Sequence, residues 1–168
     1  EISIDKKKSK EIENRLVKKK LTQTQSSSSE CKESPLKEKK LALKFRKTVV
    51  KWRNCHGTLI YKDGSKYIGE FKGGKFSGQG TLTYKDGATY FGEFIEGKFN
   101  GQGTLTSVDG EKYEGEFVQG LYNGQGTYTF LDGRQNTGTW LNGQLDGEVN
   151  ISLKDGSTYI GLYKNGNR

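Results

Sequence analysis

The chain has 168 residues, only 30% of them apolar, with 24 glycines, one proline and a net charge of +8. It contains no run of 18 apolar residues, which excludes a helical membrane span in this sequence, and the apolar share is low for a globule with a thick core. One histidine, His56, and two cysteines outside any C-x-x-C pair exclude a His/Cys zinc site.

Charge divides the chain. Residues 1–56 hold 17 Lys/Arg against 7 Asp/Glu, net +10, whereas residues 57–168 hold 11 against 13, net −2. The basicity therefore belongs to an N-terminal extension. Residues 1–33 read as a low-complexity arm whose lysines cluster at Lys6, Lys7 and Lys8 and again at Lys18, Lys19 and Lys20, followed by a Ser/Thr/Gln stretch. A third cluster, Lys37, Lys39 and Lys40, opens the next segment. Such charge is attracted to any polyanion, whether tubulin tails, anionic lipid or RNA, and it is also what keeps many chains solvated. Salt-sensitive phosphate contacts would mark an RNA partner.

Over residues 34–54 the pattern becomes helical. Ser34 can cap the first turn and Pro35 suits the first helical position. Leu41, Phe45, Val49 and Trp52 then follow at spacings of 4, 4 and 3, one apolar stripe among Lys and Arg. A basic amphipathic helix fits a membrane surface or a calmodulin-type partner. It also fits the end of a repeat array, which needs a cap, and the position just before the first repeat favours that use.

From residue 55 to 168 the sequence repeats with a period of 23. Asp-Gly recurs at 63, 86, 109, 132 and 155, each followed by a segment of one form: YIGEF at 67–71, YFGEF at 90–94, YEGEF at 113–117, NTGTW at 136–140 and YIGLY at 159–163. Further glycines keep the same step at 74, 97, 120, 143 and 166. Phased repeats with flanking aromatics are an array, not a flexible linker. Apolar and polar residues alternate, which is the strand period. Asp-Gly supplies the turn, since Gly accepts positive φ and Asp bonds its own backbone. Each copy thus predicts an antiparallel hairpin: a first strand, a short Gly-containing link, and a second strand such as Gly80, Leu82 and Tyr84 on one face with Gln79, Thr81 and Thr83 on the other. The fold class is an all-β repeat, an elongated single-layer antiparallel sheet with a basic, partly helical extension. One face carries the rings and the other, with Glu70, Glu93, Glu116 and many threonines, suits water.

These residues resemble the MORN repeat (membrane occupation and recognition nexus), with a Tyr-x-Gly-Glu-Trp/Phe segment, phased glycines and an Asp-Gly turn; residues 90–112 fit it almost position by position. The resemblance covers about 57–168. It implies hairpins whose partner-binding groove is lined by Tyr67, Phe71, Tyr90, Phe94, Tyr113, Phe117, Trp140 and Tyr159. The departures fall late: Asn136 stands for Tyr, Val149 for Gly, and Leu162-Tyr163 for Glu-Phe.

Catalytic patterns find no support. Cys55 and His56 are adjacent on a strand, so their side chains diverge and form no nucleophile–base pair. Gly78-Gln-Gly80 lacks the helix and lysine of a phosphate loop. Glu70, Glu93 and Glu116 recur once per hairpin, as structural positions do. The expectation is a chain without enzymatic activity, cofactor or small-molecule substrate, which docks other proteins in a large assembly and grips an acidic surface through residues 1–53. The fourth copy resembles radial-spoke-head repeats, which points to a cytoskeletal or ciliary setting; a peripheral lipid tether and a ribosome-type ribonucleoprotein subunit are the alternatives. Two cysteines read as unpaired thiols point to a reducing, cytoplasmic compartment.

Overall fold

The computed structural model describes residues 29–31 and 54–168. The expected helix and the lysine clusters of the arm lie outside the described residues. The strands are β1 (Ser29–Glu30), β2 (Cys55–Ile60), β3 (Lys66–Lys72), β4 (Lys75–Thr83), β5 (Thr89–Ile95), β6 (Lys98–Thr106), β7 (Lys112–Val118), β8 (Leu121–Thr129), β9 (Gln135–Leu141), β10 (Gln144–Ser152) and β11 (Thr158–Tyr163). They form one sheet in strict chain order, antiparallel from β2 to β11, with β1 added parallel to β2. The all-β hairpin array expected from the 23-residue period is the observed fold.

Two turns alternate along the sheet. The Asp-Gly turn closes as its residues dictate: Gly87 N–H donates to Tyr84 C=O at 3.0 Å, Tyr84 N–H donates to Ala88 C=O at 2.8 Å, and Asp86 Oδ1 accepts from Ala88 N–H at 3.1 Å. The opposite end is tighter. Between β5 and β6 only Glu96 and Gly97 turn the chain, with φ of 51° and 84°, the mirror-image turn whose twist suits a hairpin. The short Gly-containing link expected between the strands is thus a two-residue turn. Lys75 starts β4 directly after Gly73-Gly74, and the second strand of a hairpin runs for nine residues.

That longer strand carries a bulge. Gly69 pairs with Gly80, yet the next residue, Glu70, pairs with Ser77, so Gly78 and Gln79 have no partner on β3. The same shift recurs between Gly92 and Glu93 and between Gly115 and Glu116. It bends the strand and adds twist.

The core is built on one face of this single sheet. Tyr67, Tyr90 and Tyr113 are 0% exposed, and Phe71, Phe94 and Phe117 only 1%. A one-layer sheet achieves this by laying each phenol flat on backbone that lacks Cβ atoms. A Cβ on Gly103 would lie 2.5 Å from the Tyr90 oxygen and 2.8 Å from two of its ring carbons. A second ring then covers the first: Tyr90 stacks on Phe99 with centroids 3.6 Å apart and planes 8° apart, and Tyr67 on Phe76 likewise at 3.6 Å. Each Tyr is also held edge-on by two rings, its own repeat's and the next one's; Tyr90 meets Phe94 and Phe117 at 5.1 Å each, and Tyr113 meets Phe117 and Trp140.

One sequence expectation is overturned outright. Cys31 and Cys55 are not unpaired thiols; they form a disulfide that pins β1 to β2. Residues 24 apart in sequence meet because Ser29 and Glu30 pair with Cys55 and His56. The inference of a reducing compartment loses its premise.

Candidate functional site

The two faces of the sheet offer different chemistry. On the core face, the rings expected to line a groove are packed against one another. Tyr67, Phe71, Tyr90, Phe94, Tyr113 and Phe117 are fully buried, Trp140 is 7% exposed, and only Tyr159, on the last strand, is substantially open. This corrects the expectation that these eight side chains form the contact surface: seven of them are occupied in holding the sheet. Phe76, Phe99 and Tyr122 cover them and are themselves half-buried. Their repeat signal is an apolar residue two positions after each turn glycine, at the same 23-residue step.

Each buried phenol is satisfied. Tyr90 Oη donates to Glu93 C=O at 3.0 Å, and Tyr113 Oη to Glu116 C=O at 3.1 Å. Burial, with Tyr122 and Glu116 nearby, pushes the Tyr113 phenol up to about 12. Burial raises Tyr67 and Tyr90 in the same direction, with the carboxylates of Glu70 and Glu93 adding to it.

The opposite face is hollowed into an open groove of about 510 Å³. Gln79, Gln102 and Gln125 recur along it, with Thr104, Thr127 and Thr137 beside them and Phe91 standing 51% exposed. Equivalent glutamines lie two strands apart, roughly 10 Å from strand spacing. At one end the polar groups pair among themselves: Gln125 Nε2 donates to Thr139 Oγ1 at 2.8 Å, and the Thr127 and Thr137 hydroxyls meet at 2.9 Å. Among the described residues, the Gln79 and Gln102 side-chain amides make no hydrogen bond. Each keeps a donor and an acceptor facing the groove.

Glu70 and Glu116 turn inward to the bulges. Their Oε1 atoms accept from the backbone N–H of Gln79 and Gln125 at 3.3 Å, beside bulge glycines whose missing Cβ leaves the carboxylate its room. This is the structural part the sequence pattern assigned them. Cys55 is buried while His56 is exposed, so the two diverge as expected. No cluster of three His, Cys, Asp or Glu able to hold a metal occurs among the described residues. No helix of the described residues is long and apolar enough to cross a membrane.

The MORN repeat family matches residues 67–89, 90–112, 113–133 and 137–148. This is a MORN-repeat protein. The fourth match omits Asn136 and stops before Val149, two of the positions where the repeat pattern is altered. MORN repeats are generally protein- or membrane-interaction modules. No curated protein sequence matches the chain. Among solved structures, a catalytically inactive virginiamycin B lyase from Staphylococcus aureus with quinupristin is similar over 66% of this chain and 41% of that one, at 13% identity and a TM-score of 0.21. A likeness that slight carries no argument about fold or function.

Proposed function

We propose that this MORN protein is a non-catalytic scaffold. Its array docks a partner protein while its basic extension anchors it to an acidic surface, in a cytoskeletal or ciliary assembly. The observation that carries the reading is the groove. Phe91 offers an exposed ring at its floor, and the Gln79 and Gln102 amides can satisfy both the N–H and the C=O of an extended peptide. The face opposite the buried rings is thus the better docking surface. The charge split between residues 1–56 and 57–168 supports separate jobs for arm and array.

The test uses the full chain as bait, with cross-linking of captured proteins. Phe91→Ala combined with Gln102→Ala should cut capture about tenfold or more, the scale of an exposed aromatic anchor, and leave the melting curve unchanged. Unchanged capture would remove the groove from the reading. For the arm, Lys→Gln at Lys18, Lys19 and Lys20 should lower co-sedimentation with microtubules, and binding should weaken as salt rises. Retention instead on anionic vesicles or on RNA would transfer the anchor to those surfaces.

A further inference from the structure

The Cys31–Cys55 bond holds very little structure by weight, and that is what makes it informative. β1 is two residues long and pairs through Ser29 with Cys55 and Glu30 with His56. One further backbone bond, from Cys31 N–H to His56 C=O at 2.9 Å, completes the attachment. A strand that short contributes too little to hold itself in place. The disulfide supplies the missing local concentration, closing 24 residues of chain onto the edge of the array. These are also the only two cysteines of the sequence, so the bond has no competing partner within the chain.

The two sulfurs differ in access. Cys55 is 5% exposed and belongs to the core, opposite Phe71, whereas Cys31 is half-buried at the sheet edge. We infer that Cys31–Cys55 is a reversible thiol switch that straps residues 29–31 over the outer edge of β2 and releases them on reduction. The co-reactant is a dithiol. One of its thiolates attacks the Cys31 sulfur, forming a mixed disulfide and expelling the Cys55 thiolate, which takes up a proton. The second dithiol sulfur then displaces Cys31 as a thiol, and the dithiol leaves as a cyclic disulfide, so two electrons and two protons pass to the protein.

Release has two physical consequences. The His56 carbonyl loses its donor, so that no strand among the described residues covers the outer edge of β2, which becomes a template for strand pairing. The basic segments on both sides of residues 29–31 are no longer tied to the array at that point. The rest of the sheet should not notice, because the Tyr–Phe lattice starts at β3 and none of its ring pairs involves either cysteine. The inference is independent of what the groove binds.

The test compares the full chain, oxidised and treated with dithiothreitol, by thiol titration and amide hydrogen exchange. Oxidised protein should titrate no thiol and reduced protein two. On reduction, exchange at the Cys31 amide should speed up about tenfold or more, as expected of a local opening, while amides of β3 to β8 keep their protection. Cys31→Ser should exchange like the reduced chain and stop responding to dithiothreitol. The inference fails if oxidised protein titrates two thiols, if the Cys31 amide stays protected after reduction, or if reduction strips protection from β3 to β8, since the bond would then be a brace of the whole sheet.

Discussion

Tyr90 lies flat across Gly103, and a methyl group at that glycine would meet the phenol oxygen at 2.5 Å. The fourth repeat contains the same two positions with both residues changed: Asn136 where the Tyr would stand and Val149 where the Gly would stand. Val149 is 0% exposed and faces Gly138. The isopropyl group fills the space that the missing ring leaves, so the two departures from the repeat pattern are one compensated change.

This pairing predicts a thermodynamic coupling in the middle of the array. Gly103→Val should destabilise by about 1–3 kcal/mol or more through overpacking, and Tyr90→Asn by roughly 3 kcal/mol through the lost ring. The double variant should cost clearly less than the two added together, with a coupling of about 0.5–3 kcal/mol. Urea midpoints of the four proteins measure it. Simple additivity would show that the ring and the glycine do not share one space.

A second contrast separates the two faces. Phe99 stacks on buried Tyr90, so Phe99→Ala should cost about 3–5 kcal/mol and expose the phenol beneath it. Phe91, one residue along from Tyr90 but on the groove side, should change stability by no more than about 0.5 kcal/mol when truncated. Thermal melts decide the matter: equal losses for the two variants would mean that the groove side also packs.

The tight turns predict a gain. Glu96 takes a left-handed φ of 51°, where a longer side chain is disfavoured, while the corresponding turns at Asn142-Gly143 and Asn165-Gly166 already carry the preferred pair. Glu96→Asn should stabilise by a few tenths to about 1 kcal/mol. It forfeits an exposed ion pair with Lys75 at 3.4 Å, a contact of small value in water. A lowered melting temperature would mean that the pair outweighs the turn.

Why some features were legible in the sequence and others not follows from where their signals lie. The hairpins could be read because alternation and Asp-Gly turns are local. So could the structural role of Glu70 and Glu116, whose once-per-hairpin recurrence marks it. Their inward turn onto the bulge N–H groups was not legible, since they read as part of a face suited to water. The burial of Tyr67, Tyr90 and Tyr113 could not, since it depends on glycines of two adjacent strands meeting under each ring, as Gly92 and Gly103 do. Phe76, Phe99 and Tyr122 were hidden by glycines that read as a link but belong to two-residue turns. The disulfide left no spacing signal at all; a parallel two-residue pairing creates it.

The buried phenols make the array sensitive to alkali, and the sign can be worked out. In an unfolded chain a tyrosine ionises near its ordinary value of 10.0, whereas in the fold Tyr113 is held up to about 12 and Tyr67, Tyr90 and Tyr128 are also raised. Between those values the unfolded state has released protons that the folded state still holds, so stability falls as pH rises. The contribution is fully present below pH 10 and is lost as pH climbs through about 12. Acid acts on the turns instead. Asp63 is lowered by the Ser65 N–H, Asp132 by the Arg134 N–H and Asp155 by the Ser157 hydroxyl, so their contribution is present above about 3.8 and disappears as pH falls below it. The expected profile is a broad plateau with a steep alkaline edge. The share of phenolate absorbance that comes from the buried rings Tyr67, Tyr90 and Tyr113 should appear together with loss of the β-sheet circular dichroism signal, in one cooperative step. Ionisation of those three rings well before the sheet unfolds would show that water reaches them in the native state.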